Sequence, residues 1–220
     1  LHLIDIPGVA ARFAIPPMHT IRLDSGVEDG SEIGVHYDSM LAKIISRSPT
    51  REGAARELAA ALRRARIHGL TTNRDLLVAS LLHPNFLAGE ADTSFYRQHD
   101  PRALTAEAGL DPHLGALAAA LAAAAYDRSQ AKVLGGIASG FRSVPSAFQR
   151  RTYAAGQSET TVAYRIRRGA LELDTLPPGV QRVALLGATA DRLVLELDGV
   201  RRAFTVDRVG AGEVVVDSPQ

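Results

Sequence analysis

The sequence has no cysteine, and aromatic residues make up only 5% of its 220 residues. The absence of cysteine excludes a disulfide framework and a thiolate metal site. A chain of this length must then be held together by ordinary hydrophobic cores, and it is long enough for one or two domains. Because disulfides are rare in the cytoplasm, the composition is compatible with the cytoplasmic location that we expect.

Neither sign of charge is in excess, since the formal net charge is +1. No electrostatic argument therefore favours a nucleic acid or an anionic membrane as a partner. No run approaches the roughly 20 apolar residues that a membrane-spanning helix requires. The first seven residues lack an initiator methionine and a basic segment, so we expect the middle of a protein rather than a signal peptide.

The first hundred residues predict short strands followed by two helices, which is an α+β pattern. Residues 20–24 alternate apolar and polar side chains, as does a half-buried strand. A helix is predicted to open at Ser48 with Pro49 at an early position, and Gly69 is predicted to end it in a left-handed conformation. One stripe of that helix is predicted to be buried, formed by Ala54, Leu58, Ala61, Leu62 and Ala65.

A second helix is predicted after Thr72 or Asn73, either of which could cap it. Pro84 is predicted to stop this helix. The composition changes near residue 100, and we place a domain boundary there, between segments 1–100 and 101–220. The chain therefore divides into an α+β half and a second half of different character.

The second half combines one alanine-rich helix with many short strands. Residues 112–126 are apolar on almost every face, and such a helix must be surrounded by protein. Residues 161–216 contain alternating segments separated by turn signals such as Asp198-Gly199. We therefore predict an antiparallel β-barrel wrapped around a long Ala-rich helix.

Several blocks in the first half resemble one known family. They are Ile21-Arg22-Leu23-Asp24-Ser25-Gly26, His36 to Lys43 (H-Y-D-S-M-L-A-K), Arg66 to Asn73 (R-I-H-G-L-T-T-N), His83-Pro84-Asn85-Phe86 and Gly89 to Thr93. In this order and spacing they resemble the C-terminal lobe of the biotin carboxylase domain of biotin-dependent carboxylases. The helix and strands of the second half resemble, by architecture and order, the linking domain of acyl-CoA carboxylase α subunits.

The resemblance implies that Arg22 is the catalytic residue of this segment and contacts the biotin ureido oxygen. In that family ATP and bicarbonate generate the CO2 that carboxylates biotin, and negative charge develops on the ureido oxygen as N1 loses its proton. A permanently charged guanidinium suits this task. From the residues alone, an arginine on the polar face of a strand would simply be solvated or paired.

Three further residues are implied as support for the site: Tyr37, Asp38 and Lys43. Asp38 is expected to orient its loop by accepting backbone N–H groups. Lys43 is expected to be solvated or paired, with a weaker electrostatic role. The histidines show no ligand spacing, so we predict no metal site.

The resemblance also implies cofactors and partners. They are biotin on a carrier domain, ATP and Mg²⁺ for the parent enzyme, the biotin carboxyl carrier domain, and a carboxyltransferase β subunit. The linking domain would dock on that subunit, through loops of the barrel and through residues 133–146. The ATP-binding segments and the biotinylated lysine are expected outside this sequence, so we predict that this chain alone binds no ATP and turns nothing over.

Three alternatives stay open at this point. The chain could belong to a carboxylase of the same superfamily that acts on pyruvate or urea, although the helix-and-barrel pattern argues against this. It could be a non-catalytic adaptor or assembly module. It could also be a small-ligand barrel, but a barrel filled by its own helix has no lumen.

Overall fold

The computed structural model describes residues 8–34, 36, 38–106, 109–133, 147–155, 158–209 and 212–218. The chain forms two compact units, one of residues 1–109 with Gln220 and one of residues 110–219. Within the described residues, no helix is long and apolar enough to cross a membrane.

The first unit contains six short strands and five helices among its described residues. Its strands run in three antiparallel pairs, β1 with β4, β2 with β6 and β3 with β5. In chain order the elements are β1 (Gly8–Val9), β2 (Arg12–Ala14), β3 (Ile21–Ser25), β4 (Glu32–Ile33), β5 (Ala42–Ser46), α1 (Arg51–Arg63), β6 (Arg66–His68), α2 (Arg74–Leu82), α3 (Pro84–Ala88), α4 (Phe95–Gln98) and α5 (Pro101–Leu104).

Helix α1 begins later than the sequence predicts. Thr50 is its N-cap and its hydroxyl accepts a hydrogen bond from the Gly53 N–H, so Pro49 precedes the helix instead of occupying its first turn. Ala61 and Leu62 are buried as predicted. The buried stripe also contains Ala55 and Ala59, because the helix is rotated slightly from the predicted face.

Gly69 is left-handed as predicted, with φ 83°, but it does not end a helix. Helix α1 ends at Arg63, and strand β6 intervenes before Gly69. The strand was missed because its partner β2 lies more than fifty residues earlier in the chain, and local periodicity carries no signal for such a pairing. A Cβ on Gly69 would lie 2.2 Å from the Val9 carbonyl oxygen, so glycine is also required by the close approach.

Helix α2 ends before Pro84, as predicted. Its N-cap residue is Asn73, whose side chain makes no capping hydrogen bond; instead the Thr72 hydroxyl accepts from the Arg74 N–H at 3.4 Å. The short helix α3 follows directly, with Pro84 in its first turn and Gly89 in the left-handed position after it.

The second unit is built on one long helix. Asp111 caps it by accepting a hydrogen bond from the Leu114 N–H at 3.0 Å. Ten of its residues are buried, as predicted for a helix that is apolar all round. The elements are α6 (Pro112–Gln130), β7 (Gln149–Ala155), β8 (Ser158–Arg167), β9 (Ala170–Leu173), β10 (Val183–Ala188), β11 (Arg192–Leu197), β12 (Val200–Val209) and β13 (Glu213–Asp217).

The described strands of this unit form two antiparallel sheets, β7-β8-β9 and β10-β11-β12-β13. Both sheets pack on α6 in a single core, to which β8 contributes Tyr164, β11 contributes Leu193 and Leu195, and β12 contributes Phe204. Packing of the sheets around the helix agrees with the sequence prediction. The closed barrel is not confirmed, because no ladder of hydrogen bonds joins the two sheets within the described residues.

The Asp198-Gly199 hairpin is confirmed, and its aspartate does more than turn the chain. Asp198 and Gly199 have φ values of 49° and 86°, as a two-residue turn of this kind requires. The Asp198 carboxylate also accepts hydrogen bonds from the Gln181 and Arg182 N–H groups, at 3.0 and 2.7 Å. It thereby fixes the entry into β10.

Candidate functional site

Strands β3 and β5 form the platform on which the sequence places the candidate site. They pair antiparallel, with Arg22 opposite Ile45 and Asp24 opposite Lys43. Side chains of directly opposed residues, and of residues two apart on one strand, point to the same face of a sheet. The structure therefore brings Arg22, Asp24 and Lys43 onto one face.

Arg22 is held by its neighbour on the same strand. Its Nε donates to the Asp24 Oδ1 at 2.9 Å. This hydrogen bond, together with the charge of the carboxylate, raises the pKa of the Arg22 guanidinium above its ordinary value. The side chain is 72% exposed. The contact orients the guanidinium through Nε and leaves its Nη groups, which make no hydrogen bond to the described residues, open to an anionic oxygen.

Lys43 adds a second positive charge to this face. It is exposed and lies opposite Asp24 in the register. It makes no ion pair with the part of the chain that the structure describes. Two cations thus share the face with one carboxylate, and the face carries a net positive charge suited to an anion.

The loop that follows β3 is anchored to earlier parts of the chain. The sequence analysis did not predict this anchoring. The Asp29 carboxylate accepts from the Phe13 N–H at 2.6 Å and from the Arg12 Nη1 at 2.9 Å. The Gly30 N–H donates to the Ala10 carbonyl oxygen at 2.8 Å. An aspartate directly before a glycine is a common turn signal, but nothing local identifies its distant partners.

Asp38 makes the turn contact that the sequence predicts. Its Oδ1 accepts a hydrogen bond from the Met40 N–H at 3.1 Å, and this orients the chain as it enters β5. Tyr37 lies outside the described residues. The roles of Tyr37, Asp38 and Lys43 in supporting the site stay predictions.

The platform is backed by helix α1. The Ser46 hydroxyl donates to the Ala54 carbonyl oxygen at 2.7 Å, which ties the end of β5 to the helix. On the face opposite Arg22, Ile44 packs against the cluster formed by α1 and α2. Rigid elements that hold a site position its side chains better than free loops do, so the pairing with β5 gives Arg22 a defined place.

Metal binding finds no support on this platform. Within the described residues of either compact unit taken by itself, no three His, Asp or Glu side chains converge closely enough to hold an ion.

The comparison with known families covers both units. The model described as the biotin carboxylase C-terminal domain matches residues 4–98. The model described as the BT domain of the methylcrotonyl-CoA carboxylase α subunit matches residues 111–220, half of the chain. The chain belongs to this BT-domain family. The resemblance inferred from the sequence motifs is confirmed.

Individual relatives are α subunits of acyl-CoA carboxylases and a biotin carboxylase. The chain is 38% identical over 113 residues to the mitochondrial methylcrotonoyl-CoA carboxylase subunit α of Dictyostelium discoideum, covering 51% of this chain and 16% of that protein. It is 38% identical over 93 residues to the biotin carboxylase of Halalkalibacterium halodurans, covering 42% and 21%. It is 36% identical over 81 residues to the propionyl-CoA carboxylase α chain of Ruegeria pomeroyi, covering 37% and 12%.

The chain spans less than a quarter of the length of each of these relatives. Among solved structures, it is similar to the biotin carboxylase domain of the Hydrogenobacter thermophilus 2-oxoglutarate carboxylase. The identity is 30%, the match covers 44% of this chain and 21% of that one, and the TM-score is 0.43.

Proposed function

We propose that this chain is part of the α subunit of a biotin-dependent acyl-CoA carboxylase. The observation that carries the proposal is the adjacency, in one chain and in this order, of a biotin carboxylase C-terminal domain and a BT domain. Residues 1–100 would supply part of the biotin site. Residues 101–220 would form the linking domain, with a barrel completed by contacts beyond those described.

Arg22 would act on the biotin ureido oxygen. Biotin, when bound, supplies a ureido nitrogen that accepts the carboxyl group from CO2. The guanidinium, oriented through its Nε by Asp24, would donate from its Nη groups to the oxygen on which charge develops. A charged donor that is already in position stabilises a transition state because no reorganisation is needed. The exposed, net positive face around Arg22 fits this group.

Asp24 would act as a positioning residue for Arg22. Its carboxylate holds the guanidinium without neutralising the face, because Lys43 lies directly opposite. Lys43 would support the same charge from the neighbouring strand, and Asp38 and Tyr37 would shape the loop that leads to it. Removal of Asp24 would free the Arg22 side chain to adopt other rotamers, so positioning would be lost while the charge remained.

The second unit would serve assembly. We propose that it docks on a carboxyltransferase β subunit and helps to position the biotin carboxyl carrier domain, through loops of the sheets and through residues 133–146, of which 134–146 lie outside the described residues. Loops on a rigid scaffold commonly carry binding. A specific interface of this kind buries on the order of 1,000 Å² or more.

Several further assignments belong to this proposal. The parent enzyme would use ATP and Mg²⁺ through segments outside this sequence, and its compartment would be the cytoplasm. The acceptor would be an acyl-CoA, since the matching BT-domain family is that of an acyl-CoA carboxylase; this family match supports an acyl-CoA over pyruvate or urea. A non-catalytic adaptor role would be favoured only if the complete subunit lacked activity.

The Arg22 assignment is tested in the complete α subunit that carries this chain. We expect Arg22→Ala to reduce the kcat of biotin carboxylation by about 10²–10³-fold, with little change in the KM for ATP. Arg22→Lys should recover little, since an ammonium lacks the rigid fork. Arg63→Ala, on the exposed end of α1, is the matched control. An unchanged kcat in Arg22→Ala would overturn the assignment.

A simpler experiment tests the expectation that this chain alone binds no ATP and turns nothing over. The purified 220-residue chain is assayed for ATP hydrolysis and compared with its Arg22→Ala variant. We expect no turnover above background in either sample. Hydrolysis by the unmodified chain that disappears in the variant would refute the expectation.

A further inference from the structure

The positive face formed by β3 and β5 extends past the end of β5. The Arg47 N–H donates to the Thr20 carbonyl oxygen at 2.9 Å, which adds one residue pair to the ladder between the two strands. Because residues two apart on a strand point to the same face, Arg47 follows Lys43 on the face that Thr20 and Arg22 share on the neighbouring strand. Arg47 thus adds a third cation to this face.

The charges on this face are unevenly distributed. Asp24 accepts a hydrogen bond from the Arg22 Nε and lies opposite Lys43, so it compensates one end of the face. At the other end Arg47 is exposed and lies opposite the uncharged Thr20. Its guanidinium makes no hydrogen bond or ion pair within the described part of the chain. Because diagonal neighbours in a ladder are roughly 7–8 Å apart, this uncompensated charge lies close beside Arg22.

The backbone that carries Arg47 is held on both sides. The hydroxyl of the preceding residue, Ser46, donates to the Ala54 carbonyl oxygen at 2.7 Å. Three residues after Arg47, the Thr50 hydroxyl caps α1 by accepting from the Gly53 N–H at 3.0 Å. Arg47 therefore begins a short turn between two anchored elements. A backbone that is already ordered lowers the entropic cost of binding a partner.

We propose that Arg47 docks the biotin carrier domain of the parent enzyme, a role that rests on the function proposed above for Arg22. The guanidinium would pair with an acidic side chain on the carrier surface beside the biotinylated lysine. Biotin is joined covalently to the carrier, so the carrier surface must come to rest beside the face on which the ureido group meets Arg22. A charge pair at the rim of an interface guides the approach of the partner and fixes its orientation.

The test compares two acceptors of the carboxyl group in the complete α subunit. The first is the biotin on the subunit's own carrier domain, whose carboxylation from labelled bicarbonate is followed in a single turnover. The second is biotinamide, which has neither a protein surface nor a carboxylate that could pair with Arg47. A residue that docks the carrier acts on the first acceptor alone, whereas a residue of the biotin site acts on both.

We expect Arg47→Glu to slow the carboxylation of the carrier's biotin by about tenfold or more, because the reversed charge repels the acidic side chain of the carrier. The kcat and KM for biotinamide should not change. Added salt should slow the reaction on the carrier in the unmodified subunit and have little effect in Arg47→Glu, since salt screens an exposed charge pair.

Two further variants sharpen the comparison. Arg47→Lys keeps the positive charge and should retain the rate on the carrier to within about twofold. Arg63→Glu reverses the charge of an exposed arginine at the end of α1 and should leave both acceptors unaffected. Circular dichroism establishes that all three variants fold.

Three results for Arg47→Glu would overturn the docking role. They are an unchanged rate on the carrier's biotin, an equal loss on both acceptors, and dissociation of the subunit in sedimentation, which would make this face an interface between copies.

Arg22→Ala separates this role from the function on which it rests. A loss on both acceptors in Arg22→Ala, with none in Arg47→Glu, would leave the proposed function standing and remove the docking role. Full activity of Arg22→Ala on biotinamide would remove both.

Discussion

The two units of the molecule are stabilised in different ways. Among its described residues, the first has three two-stranded pairs and two small hydrophobic clusters, one around Phe13 and one between α1 and α2. The second has one core in which both sheets share the helix α6. A unit made of small clusters depends on particular loop and turn contacts, whereas a unit with one core depends on packing.

This difference explains which sequence features indicate the family of each unit. In the first unit the family blocks coincide with turns, caps and loop anchors, such as Gly69 and the cap of α3 by His83. In the second unit the sequence signal is the alternation of apolar and polar residues along the strands, which reflects burial of the apolar side chains against α6. A substitution in a turn should therefore harm the first unit most, and a substitution in the core the second.

The largest expected effect comes from the shared core. Phe204 is 0% exposed and lies among α6 and the strands around it. Phe204→Ala should cost about 3–5 kcal/mol of the free energy of unfolding, because the cavity is enclosed on every side. Urea unfolding, with hydrogen exchange resolved by unit, measures the loss.

The matched variant in the first unit is Phe86→Ala. Phe86 is half-buried at the edge of its cluster, beneath the Arg51 guanidinium. Its removal should cost less than half as much as that of Phe204, because the site opens to solvent and leaves no sealed cavity. Equal losses in the two units would show that the first also has a continuous core.

The next effect concerns a turn of the first unit. Gly69→Ala should cost about 2 kcal/mol or more, since it adds left-handed strain and sets a Cβ against the Val9 carbonyl oxygen. Gly30 has a similar φ of 89° with nothing within 4 Å of an added Cβ. Gly30→Ala therefore measures the left-handed backbone strain alone, and it should lower the free energy of unfolding by about 1 kcal/mol. Thermal unfolding of both variants measures the difference, and equal shifts in Tm would contradict the close approach.

A smaller effect is expected where the second unit does depend on a turn. Asp198→Ala removes the acceptor of two backbone N–H groups and should cost about 1–2 kcal/mol. Asp198→Asn keeps an acceptor and tolerates the positive φ, so it should cost less. Chemical denaturation of the pair measures this, and an identical cost in both variants would show that the carboxylate bonds contribute nothing.

The smallest effect at neutral pH comes from a hydroxyl in the shared core. Tyr164 is 0% exposed and its hydroxyl donates to the Ala120 carbonyl oxygen at 3.4 Å. Tyr164→Phe should cost about 1 kcal/mol or less near pH 7. The larger consequence of this substitution lies in the pH dependence.

Burial raises the pKa of Tyr164 above its ordinary value of 10.0, because the phenolate would lose its hydration. When the pKa of a group is higher in the folded state than in the unfolded state, the free energy of unfolding is unaffected at any pH below the unfolded-state pKa. The free energy of unfolding then falls as the pH rises through the folded-state pKa. The second unit should therefore lose stability above about pH 10, and Tyr164→Phe should reduce that loss. Tyr126→Phe, at an exposed position, is the control; an equal effect of both variants would contradict the burial argument.

Sequence reasoning succeeded where the structural signal is local. The alternation of Leu193, Leu195 and Leu197 in the sequence matches their burial in strand β11. Strand β7 was missed because its half-buried positions include Arg151, which pairs with Asp127 of α6 at 2.9 Å. Hydropathy alternation cannot reveal a strand whose inward side chain is an ion-paired arginine.

The features that could not be predicted depend on pairing between distant residues. Strand β6 needs β2, and the Asp29 anchor needs Phe13. At the candidate site, the motif supplied Arg22, but its orientation by Asp24 follows from the geometry of one strand face. The spacing in the sequence does indicate this contact, since residues two apart on a strand share a face.

The central claim is that the chain combines part of a biotin site with a module for subunit assembly. It is tested most directly by titrating the full chain, and its Arg22→Ala variant, against a purified acyl-CoA carboxyltransferase β subunit from the same source. We predict submicromolar binding of both, because Arg22 belongs to the other proposed role. The absence of binding at tens of micromolar would contradict the assembly role, and a loss of binding in Arg22→Ala alone would contradict the separation of the two roles.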